Sequence, residues 1–376
     1  MMARLPLLLL FPCTTALPPH PRLLLTPDRA AAIHAAVSSN AQAASYFLSV
    51  SAQAAGVLSL PPVARPPDDG DVLFAARTAL VRTYVLGAMW RLTSNATFAA
   101  RGVEELLSFT TAWSNWQPIA NALVMGELSH AAAIGLDWLH DYLSEAQRSA
   151  VVAGLVERGA APFAAAYAGG EAENWWVCRS SNWASVTNSG AGFAALALLG
   201  EVGAPPYIPE LLSNASANVR CSSAAPMEWG TGGGLAPDGA WWEGPMYSGY
   251  VLRYVVPFAT ALGAVTGDAG LLNLPGLLDA PLFQVASMDA AWRYFVRCVA
   301  AAFVVFAPPN TGACVFFANP QLTSPRALSR RRIGQTVWRR RKRWPCCWPR
   351  RSGAATRAPP LPSARALTPP PRPSST

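Results

Sequence analysis

Two short stretches hold most of the residue types able to do chemistry. The first runs from Ser181-Asn182-Trp183 to Asn188-Ser189-Gly190, and the second is Pro237-Asp238-Gly239-Ala240-Trp241-Trp242-Glu243-Gly244-Pro245-Met246-Tyr247. The second packs a turn, two indoles, a carboxylate and a phenol into one segment. Aromatic faces beside amide and phenol groups make a wall suited to sugar rings: the ring face takes the apolar side of the sugar and the polar groups orient it. An upstream pair, Trp175-Trp176, extends the set, so Trp175, Trp176, Trp241 and Trp242 are candidate stacking platforms.

Each candidate also has a plain structural reading. Asn182 precedes an expected helix and suits a cap, because its side-chain oxygen can accept from early backbone N–H groups. Asn188 falls inside that helix, where Asn is a mediocre former, and serves either as a second polar contact or as a buried structural amide. Tyr247 is either a packed aromatic or a proton carrier. A free phenol titrates near pH ~10, so a proton-abstracting tyrosine needs its pKa lowered or a base beside it. Arg253 is the nearest downstream cation able to help. Asp238 and Glu243 invite a glycosidase reading with paired carboxylates, but their spacing cannot fix a carboxylate distance. Asp238-Gly239 is more simply a turn, and Glu243 braces the loop or binds a sugar hydroxyl.

The four histidines are His20, His34, His130 and His140. His130 and His140 would sit on one helix about 1000° of rotation apart, on roughly opposite sides, so they form no metal pair there. No Cys/His spacing reads as a zinc site, and no cofactor motif is found. Among the seven cysteines, Cys178 and Cys221 are able to pair, although spacing does not specify it.

The elements that must position these residues are apolar-rich helices with short connections. Candidates run near residues 27–37, 71–92, 99–113, 119–143, 145–167, 183–199, 209–219 and 249–266. Thr26-Pro27-Asp28 places a cap before a first-turn proline, and Ser144-Glu145 opens another helix. Strand alternation is rare before residue 290. The fold class is therefore mainly α, and helices this apolar must bury one another's faces, as hairpins stacked in a ring or arc do.

The formal charge of +8 hides two regions. Fourteen of the 29 Lys and Arg residues lie from Arg326 onward, where no Asp or Glu occurs, which leaves 15 basic and all 21 acidic residues before it. The body is mildly acidic, so the high overall charge says nothing about a nucleic-acid surface on it, and no nucleic-acid partner is expected. The Arg/Pro/Ala-rich segment 306–376, in which Lys342 is the only lysine of the chain, suggests GC-rich coding read out of frame. A genuine disordered basic tail and a folded segment stay open beside that reading. At the other end, Arg4, an apolar core from Leu5 and the small residues Thr14-Thr15-Ala16 read as a secretory signal over residues 1–16. Export fits the sequons at Asn95 and Asn214. No later uninterrupted apolar run reaches the length of a membrane span.

The chain resembles the polysaccharide lyases of the heparinase II/III and alginate lyase superfamily. The resemblance rests on His20-Pro21-Arg22-Leu23-Leu24-Leu25-Thr26-Pro27, on the segment from Glu127 through Asp137-Trp138-Leu139-His140 to Ser144, on Asn174-Trp175-Trp176, on Ser181-Asn182-Trp183 and on Asp238 through Tyr247. It covers roughly residues 20–280. It implies an incomplete (α/α) toroid over residues 17–305, followed in the family by an antiparallel β-sandwich that is missing or unreadable in this sequence. It also implies β-elimination on a uronic-acid polysaccharide, with no metal or cofactor required. Asn182 then neutralises the uronate carboxylate and Tyr247 transfers the proton, while Trp175, Trp176, Trp183, Asn188, Trp241, Trp242, Glu243 and Arg253 contact the glycan. Trp183 stands where the family pattern has the His of an Asn-His pair. The runner-up is a catalytically silent glycan-binding remnant. The expected partner is an acidic polysaccharide outside the cell.

Overall fold

A computed structural model describes residues 16–116, 122–169, 174–224 and 233–286. Residues 1–15 of the expected signal segment 1–16, the basic tail and any sandwich strands beyond residue 286 lie outside the described residues. Within them the protein is mainly α. The helices are α1 (Pro27–Ser39), α2 (Ala41–Leu58), α3 (Val72–Thr93), α4 (Ala96–Leu107), α5 (Ala122–Trp138), α6 (Glu145–Leu155), α7 (Ala161–Tyr167), α8 (Asn182–Leu198), α9 (Ile208–Ala224), α10 (Pro245–Thr266) and α11 (Ala280–Ala286). Wide π turns extend α4 over Ser108–Ala112 and join α6 to α7 over Val156–Ala160. The only extended pairing among the described residues is a single antiparallel bridge, Leu235 to Trp241.

Two helices form the centre. Every residue of α5 is buried, and in α8 all but Trp183 are. A helix apolar on all sides must be surrounded. Accordingly α5 packs between α3 and α8, and α8 also meets α9 and α10. The α5–α8 contact is close because glycines face each other. A Cβ on Gly190 would lie 2.3 Å from the Gly126 carbonyl oxygen, and one on Gly126 would lie 2.9 Å from the Thr187 Cα. Only a missing side chain lets the two backbones approach this far.

Helix starts follow the local signals. Ser144 forms a full capping box with Gln147 at the head of α6. Pro27 opens α1, although the Thr26 side chain makes no cap bond. Two helices are absent from the sequence reading, the short α11 and α2, the latter with a cap, Asn40, that accepts from Gln42 and Ala43. The alanine- and serine-rich surface of α2 is weakly patterned, and periodicity alone did not separate it from a loop.

The N-terminal segment closes the core. The Asp137 carboxylate, fully buried at the end of α5, accepts the backbone N–H of Arg22 at 3.0 and 3.1 Å and that of Leu23 at 2.7 Å. Arg22 in turn donates to the carbonyls of Leu196, Ala197 and Leu199 at the C-terminal end of α8. Those carbonyls have no partner within the helix and lie at its negative pole, so a guanidinium suits them on both counts. By length and composition, α3 with its leading turn and α10 could cross a membrane, but most of each is buried inside the protein, as core helices are.

Candidate functional site

The two chemistry-bearing stretches meet at the start of α8. Ser181 is the N-cap, its hydroxyl accepting from the Trp183 N–H at 3.3 Å, so Asn182 is the first helical residue rather than the cap. Glu243, 61 positions away, reaches this helix start. Its carboxylate accepts the Asn182 backbone N–H at 2.7 Å and the Asn182 side-chain amide at 3.0 and 3.1 Å, and also the Trp241 indole N–H at 2.9 Å. An anion at a helix N-terminus meets free N–H groups and the positive end of the dipole. Glu243 therefore braces its loop. Asn182 is 3% exposed, and its amide faces this carboxylate.

The loop geometry explains the brace. Pro237-Asp238-Gly239 makes the expected turn: the Ala240 N–H reaches Asp238 Oδ1 at 3.1 Å, Ala236 N bonds Ala240 O at 2.8 Å, and Gly239 has φ 84°. Asp238 thus sits in an exposed turn, while the Glu243 carboxylate is already engaged by Asn182 and Trp241.

The tryptophan pairs each divide. Trp176 is 1% exposed and packs edge-on against Phe163 and Tyr167, while Trp241 is 3% exposed and lies over Gly234, where any Cβ would collide with its ring. These two are core, which corrects their expected role as sugar platforms. Their neighbours Trp175 and Trp242 are 44% and 48% exposed. Trp175 meets the half-buried Trp183 at 5.4 Å between ring centroids, and the Trp242 indole N–H donates to the Ser180 carbonyl on the loop bearing Trp175. A disulfide between Cys178 and Cys221 ties that loop to α9.

Asn188 is also corrected from a glycan contact to a structural amide. It is fully buried, donating to the carbonyls of Ala184 at 2.7 Å and Val177 at 3.1 Å, and accepting the Tyr167 hydroxyl at 2.6 Å. Burial holds the Tyr167 phenol far above its usual pKa, so it remains a donor. Tyr247 lies in the first turn of α10, 39% exposed, and no partner reaches its hydroxyl among the described residues. Arg253, farther along the same helix, is half-buried with its guanidinium 5.9 Å from the Tyr254 ring centroid.

One cluster escaped the sequence reading. Glu127 of α5, fully buried, accepts from Arg77 Nε at 3.1 Å, from the Tyr250 hydroxyl at 2.8 Å and from the Tyr254 hydroxyl. Arg77 Nη2 also donates to the Tyr250 oxygen at 2.8 Å, and the guanidinium lies 4.8 Å from that ring's centroid. Burial alone would lower the Arg77 pKa, but Tyr250 and Glu127 outweigh it and hold the guanidinium charged. Burial, reinforced by Glu127, pushes both Tyr250 and Tyr254 far above the usual phenol range. Tyr250 follows Tyr247 by about one helical turn on α10, and the Arg77 bound to it has a side chain 41% exposed. Next to the cluster, His130 is buried, 2.6 Å from the Tyr84 hydroxyl and stacked on Phe193 at 3.9 Å. It is a core histidine.

No protein-family model matches the chain, and no curated protein matches it.

Proposed function

We propose that the protein is a secreted polysaccharide lyase-like protein whose helices form an incomplete (α/α) toroid of the heparinase II/III type, acting on a uronic-acid polysaccharide. The observations that support this are the exposed Trp175 and Trp242, tied together through the 175–183 segment that also holds half-buried Trp183, the exposed Tyr247 five residues after Trp242 with no partner on its hydroxyl among the described residues, and the charged Arg77 bound to Tyr250, three residues farther along α10. Exposed indoles suit stacking on sugar rings, and a fixed cation suits a carboxylate.

β-Elimination needs the uronate carboxylate held by a donor, so that the neighbouring C5 proton becomes acidic, and then a base and an acid. Arg77 supplies a charged donor, since its Nη1 has no protein partner among the described residues. The Asn182 amide, turned to Glu243, holds the helix start and the Trp242 loop in place. Tyr247 as phenolate takes the C5 proton, the C4–O4 bond breaks as the C4=C5 double bond forms, and the phenol returns its proton to the leaving O4.

A glycan-binding protein without turnover is the second reading. The engagement of Asn182 by Glu243, and a Tyr247 hydroxyl to which no base is hydrogen-bonded among the described residues, favour it. The deciding experiment incubates the full chain and its Tyr247→Phe variant with alginate and with heparin-type chains, following the ultraviolet absorbance of the unsaturated uronate. Product from the wild type and none from a folded Tyr247→Phe establishes the lyase. Equal product from both removes Tyr247 from the mechanism. Binding without product selects the second reading.

A further inference from the structure

A cavity of about 440 Å³ is lined by four segments: the stretch before α1, the turn after α5, the helix α6 and the turn after α8. They bring His20, His140 and Glu201 together. Glu201 Oε1 lies 3.0 Å from His20 Nε2 and 3.3 Å from His140 Nε2, and one donor atom from each residue lies within 4.8 Å of the others. We infer that His20, His140 and Glu201 form a binding site for a zinc-type divalent cation, with the cavity leaving a further coordination position open to water.

Four observations carry it. First, two imidazoles and one carboxylate are the ligand types a borderline divalent cation prefers. Second, donor atoms bonded at about 2.0–2.1 Å to a tetrahedral ion stand roughly 3.3 Å apart, close to the two separations from Glu201 here; the two imidazoles stack at 4.1 Å between ring centroids, so the more exposed His140 turns its ring for both Nε2 lone pairs to meet one ion. Third, the other nitrogen of His20, Nδ1, lies 2.5 Å from Asp137, whose carboxylate is fixed by the backbone N–H groups of Arg22 and Leu23. A carboxylate behind an imidazole places the proton on Nδ1 and turns the Nε2 lone pair toward the ion, the outer-shell support that metal-binding histidines carry. Fourth, all three side chains are partly open to the cavity.

The charges around the site permit a cation. Glu201, Asp137 and the cavity-lining Glu145 oppose Arg22 and Arg148. Arg22 is drawn off by the carbonyls at the end of α8, the nearest, Leu199, at 2.5 Å. Arg148 Nη1 makes a long contact, 3.4 Å, to the coordinating nitrogen of His140, Nε2, and must turn away from it for an ion to bind.

The test titrates the tag-free full chain with Zn²⁺ by calorimetry and with Co²⁺ by visible absorption, beside His140→Ala and Glu201→Gln. Neither variant touches the Asp137 anchor, and circular dichroism checks that both fold. The expected result is one ion per chain, a tetrahedral Co²⁺ spectrum without a thiolate charge-transfer band, and affinity at least tenfold weaker in each variant. No stoichiometric binding by the wild type, a thiolate band, or less than tenfold weakening in either folded variant would overturn the site.

Discussion

Glu243 holds Asn182 by both its backbone and its side-chain amide, the shortest contact being 2.7 Å. One carboxylate thereby fixes the start of α8 and, through Trp241, the loop that presents Trp242. Replacing it with Gln keeps the shape, removes the charge and puts a donor amide against the Asn182 N–H groups. We expect Glu243→Gln to cost about 1–3 kcal/mol in urea unfolding and to weaken glycan binding through disorder of the Trp242 loop. An unchanged midpoint would mean that the brace does not contribute.

Arg77 is predicted to matter for charge recognition. Arg77→Gln should weaken binding of a uronate oligosaccharide at least tenfold and leave a neutral oligosaccharide within twofold, measured by calorimetry. It should also cost about 1–3 kcal/mol of stability, because buried Glu127 loses its cation and keeps only two phenols. Equal losses for both sugars would assign Arg77 to structure alone.

The glycine crossing gives a paired stability test. Gly190→Ala forces a Cβ to within 2.3 Å of the Gly126 carbonyl oxygen, and both atoms belong to buried helices. The expected loss is about 3 kcal/mol. Gly56→Ala on the exposed side of α2 meets nothing within 4 Å and should gain about 0.5–1 kcal/mol by restricting the unfolded chain.

Acid sensitivity should trace in part to His130. Burial, aided by the Arg253 charge, holds its pKa well below the ordinary value of 6.5. The unfolded chain therefore takes up a proton below that pH which the folded chain excludes. Stability falls as pH drops below about 6.5, by at most about 1.4 kcal/mol per unit for this group. Other groups add their own slopes, so the readout is the difference between wild type and His130→Phe in urea midpoint at pH 7.5 and 5.0. The variant should lose less on acidification. An identical loss would place the sensitivity elsewhere.

The mainly helical class was legible because composition and 3.6-residue patterning act locally, and the Ser144 and Pro27 starts announced themselves. The Asp238-Gly239 turn was legible for the same reason, since the Asx side chain and the positive φ of glycine are local chemistry. The tryptophan pairs were half legible: in these loops one ring of each adjacent pair turns inward and the other outward, and the sequence does not say which. The Glu127 cluster gave no signal, because its partners Arg77, Tyr250 and Tyr254 lie 50, 123 and 127 positions away. The His20–His140–Glu201 group is likewise assembled from three separate turns, so no ligand spacing could announce it.

The anchoring of Arg22 sets an order of events during synthesis. Its last partner, Leu199, emerges 177 residues later, and Asp137 must also be out before the Arg22 and Leu23 backbone can dock. Until α8 is complete, the segment that carries Leu23, Leu24 and Leu25, all buried in the finished protein, lacks its Arg22 anchor. The earliest residues of the helical body thus complete their anchoring only after α8 is made. A nascent chain stalled before that point displays a run of three leucines, a handle for chaperones and a starting point for aggregation.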